Sequence, residues 1–172
     1  TTEIYTLSLH DALPIWGGPV RCGRGVVITP DVPLVAAEGP FDVLVLPGGL
    51  KGAERLAASS EVARLLRAQV EQLGLVAAIC AAPIALARHG VFAGARMTCH
   101  PSVKDIVAAH GVWKPDEPLV EDGELITAAG PGASFAFALT ILRRLQGEGA
   151  VPTVMAPMMF DHQPALTPYL EP

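Results

Sequence analysis

Apolar residues fall into short blocks between glycines and prolines, and their spacing separates strands from helices. Val26-Val27-Ile28, after the Gly17-Gly18-Pro19 turn, predicts a short strand. Leu34-Val35-Ala36-Ala37 predicts one helical turn between Asp31 and Gly39. Val43-Leu44-Val45-Leu46 is apolar at every position and ends at Pro47-Gly48-Gly49, the signature of a strand covered on both faces. A helix is predicted from about Ser60, capped by Ser59 or Ser60, because Val62, Leu65, Leu66, Val70 and Leu73 keep helical spacing and Gly74 stops it. Between Gly49 and Ser59 only Glu54-Arg55 is read as helical, as a solvated helix face.

Leu75-Val76-Ala77-Ala78-Ile79 predicts a second buried parallel strand, and Ala82 to Arg88 a helix that ends near His89-Gly90. Arg96-Met97-Thr98-Cys99 predicts a further strand leading to His100-Pro101, followed by a helix from about Ser102 to Ala109. Asp122-Gly123 between Leu119-Val120-Glu121 and Glu124-Leu125-Ile126-Thr127 predicts a hairpin. Gly130-Pro131-Gly132 opens a long helix, Ser134 to Leu145, with Phe135, Leu139 and Leu142 expected inward and Phe137 and Ile141 next in order. A last element is expected between Val151 and Phe160, with residues 161–172 as a loose tail. Strands alternating with helices indicate an α/β fold with a mainly parallel sheet.

Composition narrows the class. The 172 residues are 51% hydrophobic and 17% charged, which suits one folded domain. No apolar run approaches the roughly 20 residues needed to span a membrane. A net charge of -5 argues against a general nucleic-acid surface. The three cysteines form no CxxC pair and no even set, so a reducing cytoplasm is the expected setting. Cys22 reads as a surface or interface thiol.

Residues 1–15 lack helical or strand period and capping logic. Codon by codon, Thr1 to Ile15 is identical to one reading frame of a common short-read sequencing adapter. The expectation is that this segment is adapter-derived and stands outside the fold. His10 and Asp11 are accordingly given no catalytic role. The remainder, without a first strand and helix, is expected to present an unpaired apolar sheet edge.

Cys80 stands where a buried strand turns into a helix, at the crevice in which open α/β sheets bind ligands. The positive end of the helix dipole beside it favours a negatively charged sulfur. His100, at the end of another strand, is the candidate base or ion-pair partner. The N–H groups of Gly49 and of Ala81, taken as the first residue of the helix, are candidate donors to a developing oxyanion.

Four segments, Asp42 to Gly49, Ala77 to Pro83, Thr98 to Pro101 and Gly130 to Phe135, together resemble the DJ-1/PfpI family. The nearer resemblance is to its Parkinsonism-associated deglycase branch, over about Val20 to Met159. The resemblance implies a flavodoxin-like three-layer sandwich over residues 16–160, usually homodimeric, with an oxidation-sensitive cysteine at a nucleophile elbow. It also implies a cofactor-independent, metal-free activity on methylglyoxal, glyoxal or their adducts with protein and nucleotide amines. Cys80 matches the family nucleophile, His100 the nearby histidine, Gly49 and Ala81 the oxyanion side, and Arg24 an arginine of the dimer-side loop. Ala82 departs from the usual Gly, and Leu50 replaces a polar residue. The carboxylate that bonds the cysteine belongs to the first strand–helix unit, where this chain has residues 1–15 and Glu3 does not align. Two rival uses of Cys80 are a non-enzymatic redox sensor or chaperone and a PfpI-type peptidase.

Overall fold

Alternation along a strand covered on both faces sends Val43 and Val45 one way and Leu44 and Leu46 the other, and each set needs its own covering layer. A computed structural model of the chain describes residues 5–6, 18–22 and 25–158. Its elements are β1 (Tyr5–Thr6), β2 (Val20–Arg21), β3 (Val27–Ile28), β4 (Val43–Leu46), α1 (Leu50–Ala58), α2 (Ser60–Glu71), β5 (Leu75–Ile79), α3 (Pro83–His89), β6 (Arg96–Met97), α4 (Lys104–Ala108), β7 (Val112–Trp113), β8 (Leu119–Asp122), β9 (Leu125–Ala128), α5 (Ser134–Gln146) and α6 (Ala150–Met155). The main sheet runs β1-β4-β5-β9-β8. β1, β4, β5 and β9 are parallel, and β8 returns antiparallel to β9 around Gly123.

The two layers follow the alternation. Leu44, Leu46, Val76, Ala78 and Leu125 pack with Leu56 of α1, Leu66 of α2, Leu86 of α3 and Val107 of α4. On the opposite face Val43, Val45, Leu75, Ala77 and Ile126 pack with Phe137 and Ile141 of α5. This is the flavodoxin-like three-layer sandwich that the sequence resemblance implies. Arg144 of α5 bonds Glu124 at 2.6 Å, and Arg143 pairs with Glu121, so charged residues fasten α5 to the β8–β9 hairpin. No helix among the described residues is long and apolar enough to cross a membrane.

Several details depart from the sequence reading. α1 spans the stretch in which only Glu54-Arg55 was read as a helix face; Gly52, Ala53 and Leu56 form its buried face, and two small residues there hide the helical period. Leu73 takes a φ of 54° beyond the end of α2 and is 80% exposed, because the chain needs that residue to reverse into β5. On α5 the buried side chains are Ala136, Phe137, Leu139 and Ile141, while Phe135 is 50% exposed. Phe137 and Ile141, four residues apart on one face of α5, join Ile126 and Ala128 in the core, and Phe135 lies off that face. Cys22 is buried, with its Sγ 3.9 Å from the Val20 carbonyl oxygen, as the β2–β3 hairpin folds over it. Arg96–Met97 joins β7 in a small parallel sheet of its own rather than the main one. Tyr5–Thr6 pairs with Leu44 and Val45, so the expected bare edge of β4 is met over two residues.

One polar side chain ties these layers together. Gln69 is 3% exposed; its Nε2 donates to the carbonyls of Phe41 (2.8 Å) and Leu75 (3.2 Å), and its Oε1 accepts from Phe41 N–H. α2 is thereby bolted to the starts of β4 and β5. Replacing Gln69 with Met keeps the volume and removes all three hydrogen bonds, one of them to the buried Leu75 carbonyl, so Gln69→Met is expected to lower unfolding stability by about 2 kcal/mol. Urea denaturation checks this; an unchanged midpoint contradicts it.

Candidate active site

The parallel strands β4, β5 and β9 end on the same side of the sheet, and three of the segments singled out from sequence meet there. Cys80 follows β5 directly. Its N–H donates to the Ala128 carbonyl at 2.8 Å, and its carbonyl accepts from the His100 N–H at 2.8 Å. These two bonds fasten Cys80 between the end of β9 and the segment after β6.

The residue itself is strained. Cys80 has φ of 64°, in the left-handed region that costs an L-residue on the order of 1 kcal/mol. The strain comes from turning a strand into a helix in three residues: Ala82 N–H bonds Ile79 carbonyl at 3.1 Å, and Pro83 opens α3. Such a sharp strand-to-helix turn lifts a nucleophile clear of the sheet. The Cys80 side chain is partly exposed, while Ala81 and Ala82 beside it are buried. Ala82 adopts φ of -59°, open to any L-residue, so alanine in place of the family glycine costs no strain.

Gly48 makes room for this turn. A Cβ at Gly48 would fall 2.5 Å from Cys80 Cβ, 2.9 Å from the Ile79 carbonyl oxygen and 3.3 Å from Cys80 Sγ. Those contacts lie on backbone and on a fixed side chain, so no residue other than glycine fits. Sequence reasoning singled out Gly49 and passed over Gly48; the doubled glycine after an apolar strand was the available signal. Gly49 has φ of 92° and precedes the first turn of α1. Ala81 sits in the turn before the N-cap Ala82, two residues ahead of Pro83, the first helical position, which was expected for it. Both N–H groups lie outside the helices' own ladders, and neither donates to a described residue.

His100 reaches Cys80 through its backbone, whereas no hydrogen bond joins the imidazole to Cys80 Sγ. Its ring is held locally instead: Nδ1 lies 2.8 Å from Ser102 Oγ and accepts from Ser102 N–H at 3.2 Å. Ser102 was not singled out from sequence, because its role appears only when Pro101 bends the chain. Gly130 passes beside the ring, where a Cβ would stand 3.9 Å from His100 Cδ2. Arg24 lies outside the described residues, as do His10 and Asp11. Among the described residues no group of three or more His, Cys, Asp or Glu side chains is placed to hold a metal ion.

Cys99, one residue before His100, is buried in the core. Burial pushes its thiol up to about 11 from the ordinary 9.0, and the charge of neighbouring Cys80 adds to the rise. Cys99 is therefore a neutral, sheltered thiol near pH 7. The raised value also sets a sign for stability. Above pH 9.0 the unfolded chain releases this proton while the folded chain keeps it, so stability falls as pH rises from 9.0 toward about 11. Thermal melts across that range should fall more steeply for the wild type than for Cys99→Ala; equal slopes contradict the assignment.

Comparison with known proteins follows from this geometry. A family model described as DJ-1/PfpI family matches residues 1–144. The chain is 45% identical over 163 residues to Protein DJ-1alpha of Drosophila melanogaster, covering 94% of this chain and 73% of that protein. It is 39% identical over 141 residues to the Caenorhabditis elegans protein named glutathione-independent glyoxalase DJR-1.2, covering 81% and 75% respectively. The crystal structure of Drosophila melanogaster DJ-1beta matches with a TM-score of 0.81 at 44% identity, over 83% of this chain and 77% of that one.

Proposed function

The chain belongs to the DJ-1/PfpI family, and we propose that it is a cysteine-dependent, cofactor-independent glyoxalase or protein deglycase. The substrates in this reading are methylglyoxal, glyoxal or their adducts with amines and thiols. The observation that carries it is the strained Cys80, held at the strand-to-helix turn with Gly48 cleared of any side chain in front of it. The glyoxalase name of the nematode relative supports a reactive carbonyl as substrate.

In the proposed sequence the Cys80 sulfur adds to the aldehyde carbon of methylglyoxal and forms a C–S bond. The carbonyl π electrons move to oxygen, and that oxygen takes a proton, giving a hemithioacetal. The N–H groups of Gly49 and Ala81 face the charge that builds on oxygen. His100 assists the proton transfer. A shift of the C1 hydrogen to C2 turns the hemithioacetal into a thioester. Water then cleaves the thioester, releasing lactate and the free thiol, so the sum is dicarbonyl plus water to hydroxy acid. From a hemiaminal adduct the C–N bond breaks as nitrogen takes the hydroxyl proton, which frees the amine and the aldehyde that the sulfur then attacks.

A homodimer belongs to the same reading. Val26, Val27, Ile28, Val32 and Val35 are exposed on and after the β2–β3 hairpin, apolar surface suited to a second copy, and Arg24 is the arginine proposed for the dimer side. A cytoplasmic setting fits three unpaired thiols.

Cys80→Ala should abolish methylglyoxal consumption and lactate release, down to the uncatalysed background. Undiminished turnover by the variant discards the mechanism.

A further inference from the structure

We propose that Ser102 is a positioning residue that holds the His100 imidazole in one tautomer, with Nδ1 closed off and Nε2–H left to meet a substrate. The proposal rests on the reading of His100 as a proton-handling group of the site. Two donors from one residue converge on Nδ1. The Ser102 backbone N–H lies 3.2 Å away and can only donate, which favours a lone pair on Nδ1 without fixing it alone. The Ser102 hydroxyl, at 2.8 Å, then donates to the same nitrogen. With Nδ1 accepting, the proton of the neutral ring is on Nε2.

This assignment changes what His100 does. Nε2 carries a hydrogen and no lone pair, so the ring cannot take the thiol proton of Cys80 there, as a base would. It offers a hydrogen bond to an oxygen gaining charge beside Cys80 and keeps its proton, since the neutral ring would become an imidazolate on losing it. The backbone of His100 is anchored to the sulfur's residue through the His100 N–H to Cys80 carbonyl bond of 2.8 Å. His100 and Ser102 are both exposed, so packing does not set the ring's orientation. Pro101 between them fixes the bend that brings Ser102 back onto the imidazole.

A purely structural alternative is that His100 only caps the short 3-10 turn Pro101–Val103. Nitrogen-15 NMR of the ring separates the two. In the full chain, at a pH where the ring is neutral, His100 should carry its hydrogen on Nε2; the signal missing from His100→Gln assigns it. Ser102→Ala keeps the N–H and deletes the hydroxyl. It should show a measurable Nδ1–H population and a kcat for methylglyoxal lower by roughly three- to tenfold, with KM unchanged. Ser102→Thr should restore both. A wild-type ring with its hydrogen on Nδ1, or a Ser102→Ala variant identical to wild type in tautomer and kcat, overturns the proposal. If methylglyoxal is not turned over at all, the function reading fails, and the tautomer spectrum alone still decides the role of Ser102.

Discussion

Two stretches of backbone meet at one sulfur. The chain at Gly48 passes so near Cys80 that a methyl group would sit 2.5 Å from its Cβ, and Cys80 answers with a left-handed turn. Neither feature survives without the other. If the end of β4 drew back, the strained turn would lose the wall that fills the space behind it. If Cys80 relaxed to an ordinary helical φ, α3 would leave the sheet at another angle and its inner face, Ile84, Ala85 and Leu86, would miss the core. The strain is small against the burial of the two apolar layers that fix both strand ends.

Around that contact the sheet acts as a frame. Parallel β4, β5 and β9 deliver their ends to one edge, and single hydrogen bonds to Ala128 and from His100 lock Cys80 in place. Two neighbouring thiols then take opposite characters. Cys99 is buried and held as a neutral thiol, while Cys80 is partly exposed at the mouth of the crevice. Position in the fold, rather than residue type, separates a packing cysteine from a candidate nucleophile.

Much of this was legible in the sequence. Continuous apolar runs marked β4 and β5, Asp122-Gly123 marked the hairpin, and a cysteine between strand and helix marked the site. What stayed hidden has physical causes. The bounds of α1 stayed hidden because Gly52 and Ala53 pack its inner face, so burial there carries little hydrophobic signal. Phe135 shares helical spacing with Leu139 and Leu142 and was expected inward, yet the buried face of α5 is Ala136, Phe137, Leu139 and Ile141. The roles of Gly48 and Ser102 depend on distances between backbone and side chain that spacing along the chain does not encode.

The central claim is that, of the thiols in the folded chain, only Cys80 is presented for reaction. Brief treatment with iodoacetamide at neutral pH, followed by peptide mass spectrometry, tests it most directly. The account predicts that Cys80 is carbamidomethylated while Cys22 and Cys99 stay unmodified until the protein is unfolded. Labelling of Cys99 or Cys22 ahead of Cys80 in the native protein would contradict it.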